Sequence, residues 1–174
     1  MNSAYIDWTP FVQDLVAKNG KFGKILELGL GLGTKTLLES ADMVYSVELL
    51  ANPEHEGWIE QMKVEYKDWD NWKPYLFKCE DAYDNKIKFQ VSAHITRIKP
   101  DLVFVDPGIH CRGDLVNLAM SKKVPMVMAH DTNYGDEEGK DLYGWKRINP
   151  EGYEVTRREE GQGTTLWTLI KDSN

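Results

Sequence analysis

Residues 24–34 read Lys24-Ile25-Leu26-Glu27-Leu28-Gly29-Leu30-Gly31-Leu32-Gly33-Thr34, and the rest of the sequence is interpreted around them. The stretch begins as an apolar run, becomes glycine at every second position, and continues into Lys35-Thr36-Leu37-Leu38, which can start a helix. A buried parallel strand that leads into a glycine-rich turn and a helix N-terminus is how α/β proteins hold a nucleotide. Glycine lacks a Cβ and tolerates positive φ, so a ligand can lie against the main chain. A turn without a ligand is the plain alternative, but alternate glycines weaken a chain unless something approaches it closely.

Two nucleotide-binding motifs come close to this stretch without matching it. The dinucleotide fingerprint G-x-G-x-x-G requires a glycine at Thr34. The phosphate-binding P-loop, G-x-x-x-x-G-K-[ST], is matched by Lys35 and Thr36 but again requires glycine at Thr34. An apolar run that ends at Asp106 is similar to the strand of a Walker-B motif. A P-loop nucleotide hydrolase therefore stays open as an alternative.

The pattern that matches at every position is an acidic residue followed by G-x-G-x-G, namely Glu27, Gly29, Gly31 and Gly33. This pattern resembles motif I of the class I S-adenosylmethionine (SAM) dependent methyltransferases. The resemblance implies SAM as the cofactor and the three glycines as part of its binding site. It also implies that Glu27 orients the glycine turn or meets the methionine end of SAM.

Composition limits the class of protein and its surroundings. The chain has 174 residues, 41% of them hydrophobic and 28% charged, which favours one globular domain over residues 1–174. The formal net charge of −7 argues against a nucleic-acid partner. Cys79 and Cys111 are the only cysteines, and neither a signal peptide nor a membrane-spanning run is evident. We therefore expect a cytoplasmic protein without a membrane partner.

Strand-like and helix-like runs alternate along the chain. The predicted strands are Lys24–Leu28, Met43–Glu48, Pro74–Cys79, Pro100–Asp106 and Val124–Ala129, followed by a hairpin that pairs Tyr153–Arg158 with Thr164–Ile170. The predicted helices are one capped by Asp7-Trp8-Thr9-Pro10 and ending at Asn19-Gly20, then Thr36–Ser40, Pro53–Tyr66, residues 85–98 and Arg112–Lys122, with Tyr134–Asn149 a loop carrying a short helix. This order predicts an α/β fold: a doubly wound, mostly parallel seven-stranded sheet with an antiparallel C-terminal hairpin and helices on both faces. The methyltransferase resemblance implies the same Rossmann-like architecture.

Acidic residues follow several of the predicted strands, where ligands of open α/β sheets lie. Glu48 closes the second strand, and its two carboxylate oxygens suit the two hydroxyls of a ribose. The resemblance implies the same role for Glu48, and it implies that the pair Asp81-Ala82 flanks the adenine. The plain alternatives are a solvated strand-end charge at Glu48 and a simple turn at Glu80-Asp81.

The ends of the fourth and fifth strands carry Asp106-Pro107-Gly108-Ile109-His110 and His130-Asp131, with Asp114 between them. This arrangement resembles a group of small O-methyltransferases and implies that Asp106, His110, His130 and Asp131 are catalytic. In the related catechol-type enzymes, an acid and a polar pair at these strand ends hold a divalent metal, which implies Asp106, His130 and Asp131 as ligands of Mg²⁺ or Mn²⁺. A histidine ligand suits Mn²⁺ better than Mg²⁺.

A histidine at these strand ends has two other interpretations. His110 or His130 could serve as a general base, because an imidazole titrates near neutral pH. Alternatively, His130 only positions its neighbours.

Together these patterns predict a methyltransferase that moves the methyl group of SAM to an oxygen, in preference to a nitrogen, of a small-molecule acceptor. The acceptor would be covered by the N-terminal helix, the Tyr134–Asn149 loop or a partner subunit, which leaves a homo-oligomer open. A methyltransferase-like module that binds without turnover is the non-enzymatic alternative. Several aromatic side chains are expected to border the site or to pack near it: Trp69, Trp72, Tyr134, Tyr143 and Trp145.

Overall fold

A seven-stranded sheet forms the centre of the computed structural model, which describes residues 7–50, 56–78, 85–108, 111–134, 136–137 and 140–171. Its strands are β1 (Phe22–Leu28), β2 (Ala41–Leu50), β3 (Trp72–Lys78), β4 (Leu102–Val105), β5 (Met126–His130), β8 (Tyr153–Arg158) and β9 (Thr164–Leu169). Their order across the sheet is β3-β2-β1-β4-β5-β9-β8. Neighbours from β3 to β5 run parallel, whereas β9 runs antiparallel to both β5 and β8. The predicted sheet and its antiparallel C-terminal hairpin are thus confirmed.

Both faces of the sheet are buried, and successive apolar side chains of β1 and β4 point to opposite faces. Leu26 and Leu28 belong to one hydrophobic cluster, and Ile25 belongs to the other. In β4, Val103 points to the first cluster while Phe104 points to the second. Continuous apolar strands of this kind are typical of parallel sheets covered on both sides.

Helices cover the two faces in separate groups. The face that carries Ile25 and Phe104 packs against α1 (Thr9–Asn19), α2 (Thr34–Ser40) and α3 (Glu56–Glu65). The opposite face packs against α4 (Asn85–Ile98) and α5 (Arg112–Ser121). Among the described residues, no helix is both long enough and apolar enough to cross a membrane.

Two local expectations need correction or extension. The N-cap of α1 is Trp8 and makes no side-chain capping bond, because the Asp7 carboxylate is engaged elsewhere, as described below. The loop predicted over Tyr134–Asn149 carries the expected short helix, a 3-10 turn at Trp145–Arg147. It also contains a small hairpin of β6 (Asp136–Glu137) and β7 (Lys140–Asp141).

Candidate functional site

The glycine turn after β1 crosses the end of β4 at close range. Gly29 has φ +86°, and a Cβ built on it would lie 2.3 Å from the backbone oxygen of Asp106. Its N–H donates to the Val47 carbonyl of β2 at 2.8 Å. Positive φ and the approaching backbone both require glycine at this position. The turn is therefore held between the strands on either side of it.

The remaining two glycines differ in what approaches them. A Cβ at Gly33 would lie 2.4 Å from Cζ2 of Trp8, so the third glycine makes room for an indole ring. A Cβ at Gly31 would meet nothing closer than Trp58, at 3.9 Å. The close approach expected from the glycine pattern is thus made by the protein itself at Gly29 and Gly33.

A cavity of about 370 Å³ opens beside this turn. It lies on the side of the sheet that carries α1, α2 and α3. Its walls are Trp8, Glu27, the turn from Gly29 to Thr34, Trp58, Phe104 and Asp106. The main chain of the glycine turn can lie against a nucleotide-derived ligand, and the carboxylate of Asp106 on the other side can contact the reacting group of that ligand.

Glu27 lies beneath the turn and is 2% exposed. Its Oε1 accepts a hydrogen bond of 2.8 Å from Thr34 Oγ1, and its Oε2 accepts one from Ser46 Oγ. Burial raises the pKa of Glu27 to about 8, although these two hydrogen bonds lower it. Thr34, which stands where the dinucleotide fingerprint and the P-loop each require glycine, also accepts a bond of 3.0 Å from the Gly31 N–H. Glu27 and Thr34 therefore fix the shape of the turn.

Glu48 holds the turn from the neighbouring strand. Its Oε2 accepts a hydrogen bond of 2.9 Å from the Leu30 N–H. The Leu30 carbonyl in turn accepts one of 2.9 Å from Trp58 Nε1, and Tyr66 donates to the Gly31 carbonyl at 3.0 Å. The structure thus brings Glu48 to the same turn as Glu27, although Glu48 itself is not among the walls of the cavity.

Arg112, the first residue of α5, is the centre of the second cluster and is 5% exposed. Its Nη1 donates to Asp106 Oδ1 at 2.9 Å and to Asp131 Oδ2 at 2.7 Å. Its Nε donates to the Pro107 carbonyl at 2.9 Å, and the Tyr143 ring stacks 4.4 Å from its Cζ. Arg112 was assigned no role from the sequence, since an arginine at the start of a helix carries no motif.

His130 completes this cluster and is 2% exposed. Its Nδ1 lies 3.4 Å from Asp106 Oδ2 and 3.3 Å from Asp131 Oδ1, and its Nε2 donates to Asp7 Oδ1 at 2.7 Å. Burial alone lowers the pKa of His130, but the hydrogen bond with Asp106 and the charges of the three aspartates outweigh it and raise this pKa above its ordinary value. Because it is buried and both of its ring nitrogens face aspartate carboxylates, His130 suits positioning better than proton abstraction.

The expected metal ligands do lie together. Asp106, His130 and Asp131 each offer one ligand atom, and these atoms lie within 4.8 Å of one another. Arg112 bonds one oxygen of each carboxylate, while the other oxygens face His130 Nδ1. A metal-bound histidine commonly donates its second ring N–H to a carboxylate, as His130 does to Asp7. The donor set therefore fits a divalent cation, and a protonated His130 provides an alternative positive charge.

Asp7 connects the segment before α1 to both the cluster and the C-terminal hairpin. Besides His130, its carboxylate accepts a hydrogen bond of 2.8 Å from the Gln162 N–H. Gly161 leaves space for this carboxylate, because a Cβ there would lie 1.8 Å from Asp7 Oδ2. In the sequence Asp7 is indistinguishable from an ordinary helix cap, so its part in the site was missed.

The other expected site residues have varied outcomes. Asp81, Ala82 and His110 lie outside the described residues. Tyr143 covers Arg112, whereas Trp69 and Trp72 are partly buried and pack against the hydrophobic cluster that includes α3. Tyr134 and Trp145 line a second cavity of about 570 Å³, bounded also by Thr132, Arg157 and Trp167.

The P-loop alternative loses support from the position of Lys35. Its side chain is 63% exposed and pairs with Glu39 at 3.7 Å instead of folding over the turn. Thr34 points inward to Glu27. A phosphate-binding lysine must reach the phosphates across its glycine-rich loop.

Strand order and the position of the glycine turn define the class: this is the fold of the class I SAM-dependent methyltransferases. A caffeoyl-CoA O-methyltransferase-like protein from Staphylococcus aureus is similar with a TM-score of 0.65 and 14% identity, over 92% of this chain and 82% of its own. The N-methyltransferase NodS from Bradyrhizobium japonicum is similar with a TM-score of 0.64 and 13% identity, over 98% of both chains. A methyltransferase from Geobacter sulfurreducens is similar with a TM-score of 0.64 and 10% identity, over 94% of this chain and 78% of its own.

NodS also matches in its complex with S-adenosyl-L-homocysteine (SAH), with a TM-score of 0.59 and 13% identity over 98% of this chain and 89% of its own. No protein-family model and no curated protein matches the sequence. At these identities, the likeness to O- and N-methyltransferases establishes the fold and leaves the acceptor to chemical argument.

Proposed function

We propose that this protein is a SAM-dependent methyltransferase that methylates an oxygen, in preference to a nitrogen, of a small-molecule acceptor. The observation that carries the proposal is the cavity of about 370 Å³ between the glycine turn and Asp106. Its volume lies in the range of small-ligand sites. A Cβ at Gly29 or Gly33 would clash with Asp106 or Trp8, which line the cavity. The fold supports the same assignment, because its solved relatives include methyltransferases.

The cofactor would be held by residues of β1 and β2. We assign the ribose to Glu48, whose carboxylate is fixed beside the turn by the Leu30 N–H. Glu27 and Thr34 keep the turn in shape beneath the methionine end. Asp81 and Ala82 keep their proposed role beside the adenine.

When bound, SAM would supply the methyl group of its sulfonium: the acceptor oxygen would form a bond to that methyl carbon as the carbon–sulfur bond breaks, with SAH as the leaving group. Asp106 is the residue we assign to the acceptor proton, because its carboxylate lines the cavity and is 24% exposed. Arg112 and His130 hold that carboxylate in place from the buried side. Asp131 and His130 thus act on the acceptor through Asp106, and the proposed catalytic role of His110 remains a prediction.

A divalent cation is a second element of the proposal. Asp106, His130 and Asp131 would hold it, with Asp7 fixing the imidazole from behind. When bound, the cation would acidify an acceptor hydroxyl and supply the charge that a protonated His130 otherwise supplies. Mn²⁺ suits this donor set better than Mg²⁺, since one ligand is a nitrogen.

Calorimetry with SAM and SAH tests the cofactor, with ATP as the competing ligand. We expect SAM and SAH to bind and ATP not to bind, and we expect Glu48→Ala to weaken SAH at least about tenfold through the lost charged hydrogen bonds. Glu39→Ala is the matched control, because Glu39 is 51% exposed and pairs only with Lys35 among the ion pairs described. Binding of ATP without SAM would instead support the nucleotide hydrolase, and SAM binding without turnover of any acceptor would support the binding module.

Titration with Mn²⁺ tests the metal separately. We expect one site in the wild-type protein and its loss in Asp131→Asn. Methylation that is insensitive to a chelator would remove the metal and leave the cofactor assignment intact.

A further inference from the structure

Trp8 covers the cavity from the segment that precedes α1. It is 2% exposed, its ring centroid lies 4.4 Å from that of Phe104, and its Cζ2 packs against Gly33. The ring therefore touches both the glycine turn and β4. Two of the walls of the proposed cofactor site are joined by this one side chain.

The indole N–H of Trp8 has no hydrogen-bond partner within the described part of the chain, and it is the only buried side-chain polar atom there in that state. Trp58 lines the same cavity, yet its Nε1 donates to the Leu30 carbonyl at 2.9 Å. Buried donors are nearly always paired in native proteins, so an unpaired one requires an explanation.

The backbone beside Trp8 is fixed, so the ring cannot easily turn toward another acceptor. Asp7 is bonded to His130 and to the Gln162 N–H on one side. On the other side, the Trp8 carbonyl accepts the first backbone bonds of α1, from Phe11 and Val12. Trp8 is one of the residues that line the cavity, so a ligand group that enters the cavity is a candidate partner for this N–H.

We propose that Trp8 is a cofactor-binding residue whose indole N–H donates to the α-carboxylate of SAM, an inference that rests on the function proposed above. Glu48 places the ribose toward β2, so the methionine end extends toward β4, where Trp8 and Phe104 lie. The Asp106 carboxylate repels a carboxylate and attracts the ammonium group of the same ligand, and Asp106 lines the cavity. The carboxylate must then find neutral donors, and the Trp8 N–H is one that no residue in the described ranges pairs with.

Replacement of the indole nitrogen without a change of shape tests this directly. In β-(3-benzothienyl)alanine a sulfur takes the place of the N–H, and this residue is introduced at position 8 or, as the matched control, at position 58. The probes are SAH and 5′-methylthioadenosine, which has the same nucleoside but lacks the amino-acid end. Binding is measured by calorimetry, and the melting temperature without ligand is measured for each protein.

At position 8 we expect the affinity for SAH to fall about tenfold or more, because a hydrogen bond to a charged group is lost. The affinity for methylthioadenosine should change less than about twofold. The ligand-free melting temperature should stay the same or rise, since this N–H makes no hydrogen bond to any of the residues that the structure describes. At position 58 the melting temperature should fall, because the Leu30 carbonyl loses its donor.

The outcomes separate this inference from the function on which it rests. Wild-type protein that binds neither probe would overturn both. Wild-type protein that binds SAH, with unchanged affinity in the position-8 variant, would overturn only the role of Trp8 and would mean that its N–H meets water. Equal weakening of both probes would also overturn it, since the lost contact would then lie on the nucleoside.

Discussion

Asp7 and His130 lie 123 positions apart and meet through a hydrogen bond of 2.7 Å between Asp7 Oδ1 and His130 Nε2. The contact ties the segment that carries Trp8 to the strand end that carries Asp131. Loss of this bond would therefore remove one of the contacts that hold the two segments together.

Asp7→Asn should destabilise the protein by about 2–4 kcal/mol, because a neutral amide replaces the carboxylate that accepts from buried His130 and from the Gln162 N–H. Urea unfolding measures this change. Asp14→Asn is the control, since Asp14 pairs with Arg158 but is 68% exposed, and exposed pairs contribute about 1 kcal/mol or less. Equal losses of unfolding free energy in the two variants would show that the Asp7–His130 contact stabilises the protein no more than an exposed ion pair does.

Arg112→Met should destabilise the protein by about 3–5 kcal/mol, because two neighbouring carboxylates lose their buried counter-charge. The second substitution Asp131→Asn should recover part of this loss, since it removes one of the repelling charges. Thermal and urea unfolding of the single and double variants give the coupling free energy. Strict additivity of the two losses would contradict the proposed charge balance.

Gly29→Ala should cost more than about 3 kcal/mol, because its φ is +86° and its Cβ would meet the Asp106 backbone. Gly57→Ala is the opposite case. Gly57 lies in α3 with nothing within 4 Å of a built Cβ, so alanine should stabilise the helix by up to about 1 kcal/mol. Urea unfolding of both variants checks the sign of each change, and a tolerated alanine at position 29 would mean that the turn can move away from β4.

Glu27→Gln should flatten the pH dependence of stability. Burial raises the pKa of Glu27 from 4.5 to about 8, so the folded protein binds a proton more tightly than the unfolded chain does. The stability from the neutral carboxyl is fully present below pH 4.5 and is lost as the pH rises through about 8. The free energy of unfolding falls by something on the order of 4 kcal/mol over this range, and Glu27→Gln avoids this loss because an amide does not ionise.

Urea unfolding at several pH values between 5 and 9 measures this difference. The wild-type protein should lose stability relative to Glu27→Gln as the pH rises. Parallel curves for the two proteins would show that Glu27 is ionised at all these pH values.

The sheet could be predicted because its signals are local. In β4 four consecutive apolar residues, and in β1 the apolar residues Ile25, Leu26 and Leu28, suffice to indicate a strand buried on both faces. The hairpin of β8 and β9 was marked by its glycine-containing turn. The glycine pattern likewise located the cavity, although the packing of Trp8 against Gly33 was not foreseen.

The rest of the site depends on contacts between residues far apart in sequence. Asp7 had the signature of a helix cap, and only the folded chain brings it to Gln162 and His130. Arg112 had no signature at all, because its role arises from the convergence of β4, β5 and α5. Periodicity and motif spacing carry no information about such meetings.

The bond between the Gln162 N–H and Asp7 has a consequence for biosynthesis. A ribosome makes position 7 long before position 162, so a nascent polypeptide can complete β1 and its turn while Asp7 still lacks this amide. Asp7 therefore gains this bond only after residue 162 has been made. Fragments that end before the turn of the final hairpin should lack this bond, so the segment that carries Trp8 should be held less firmly over the cavity.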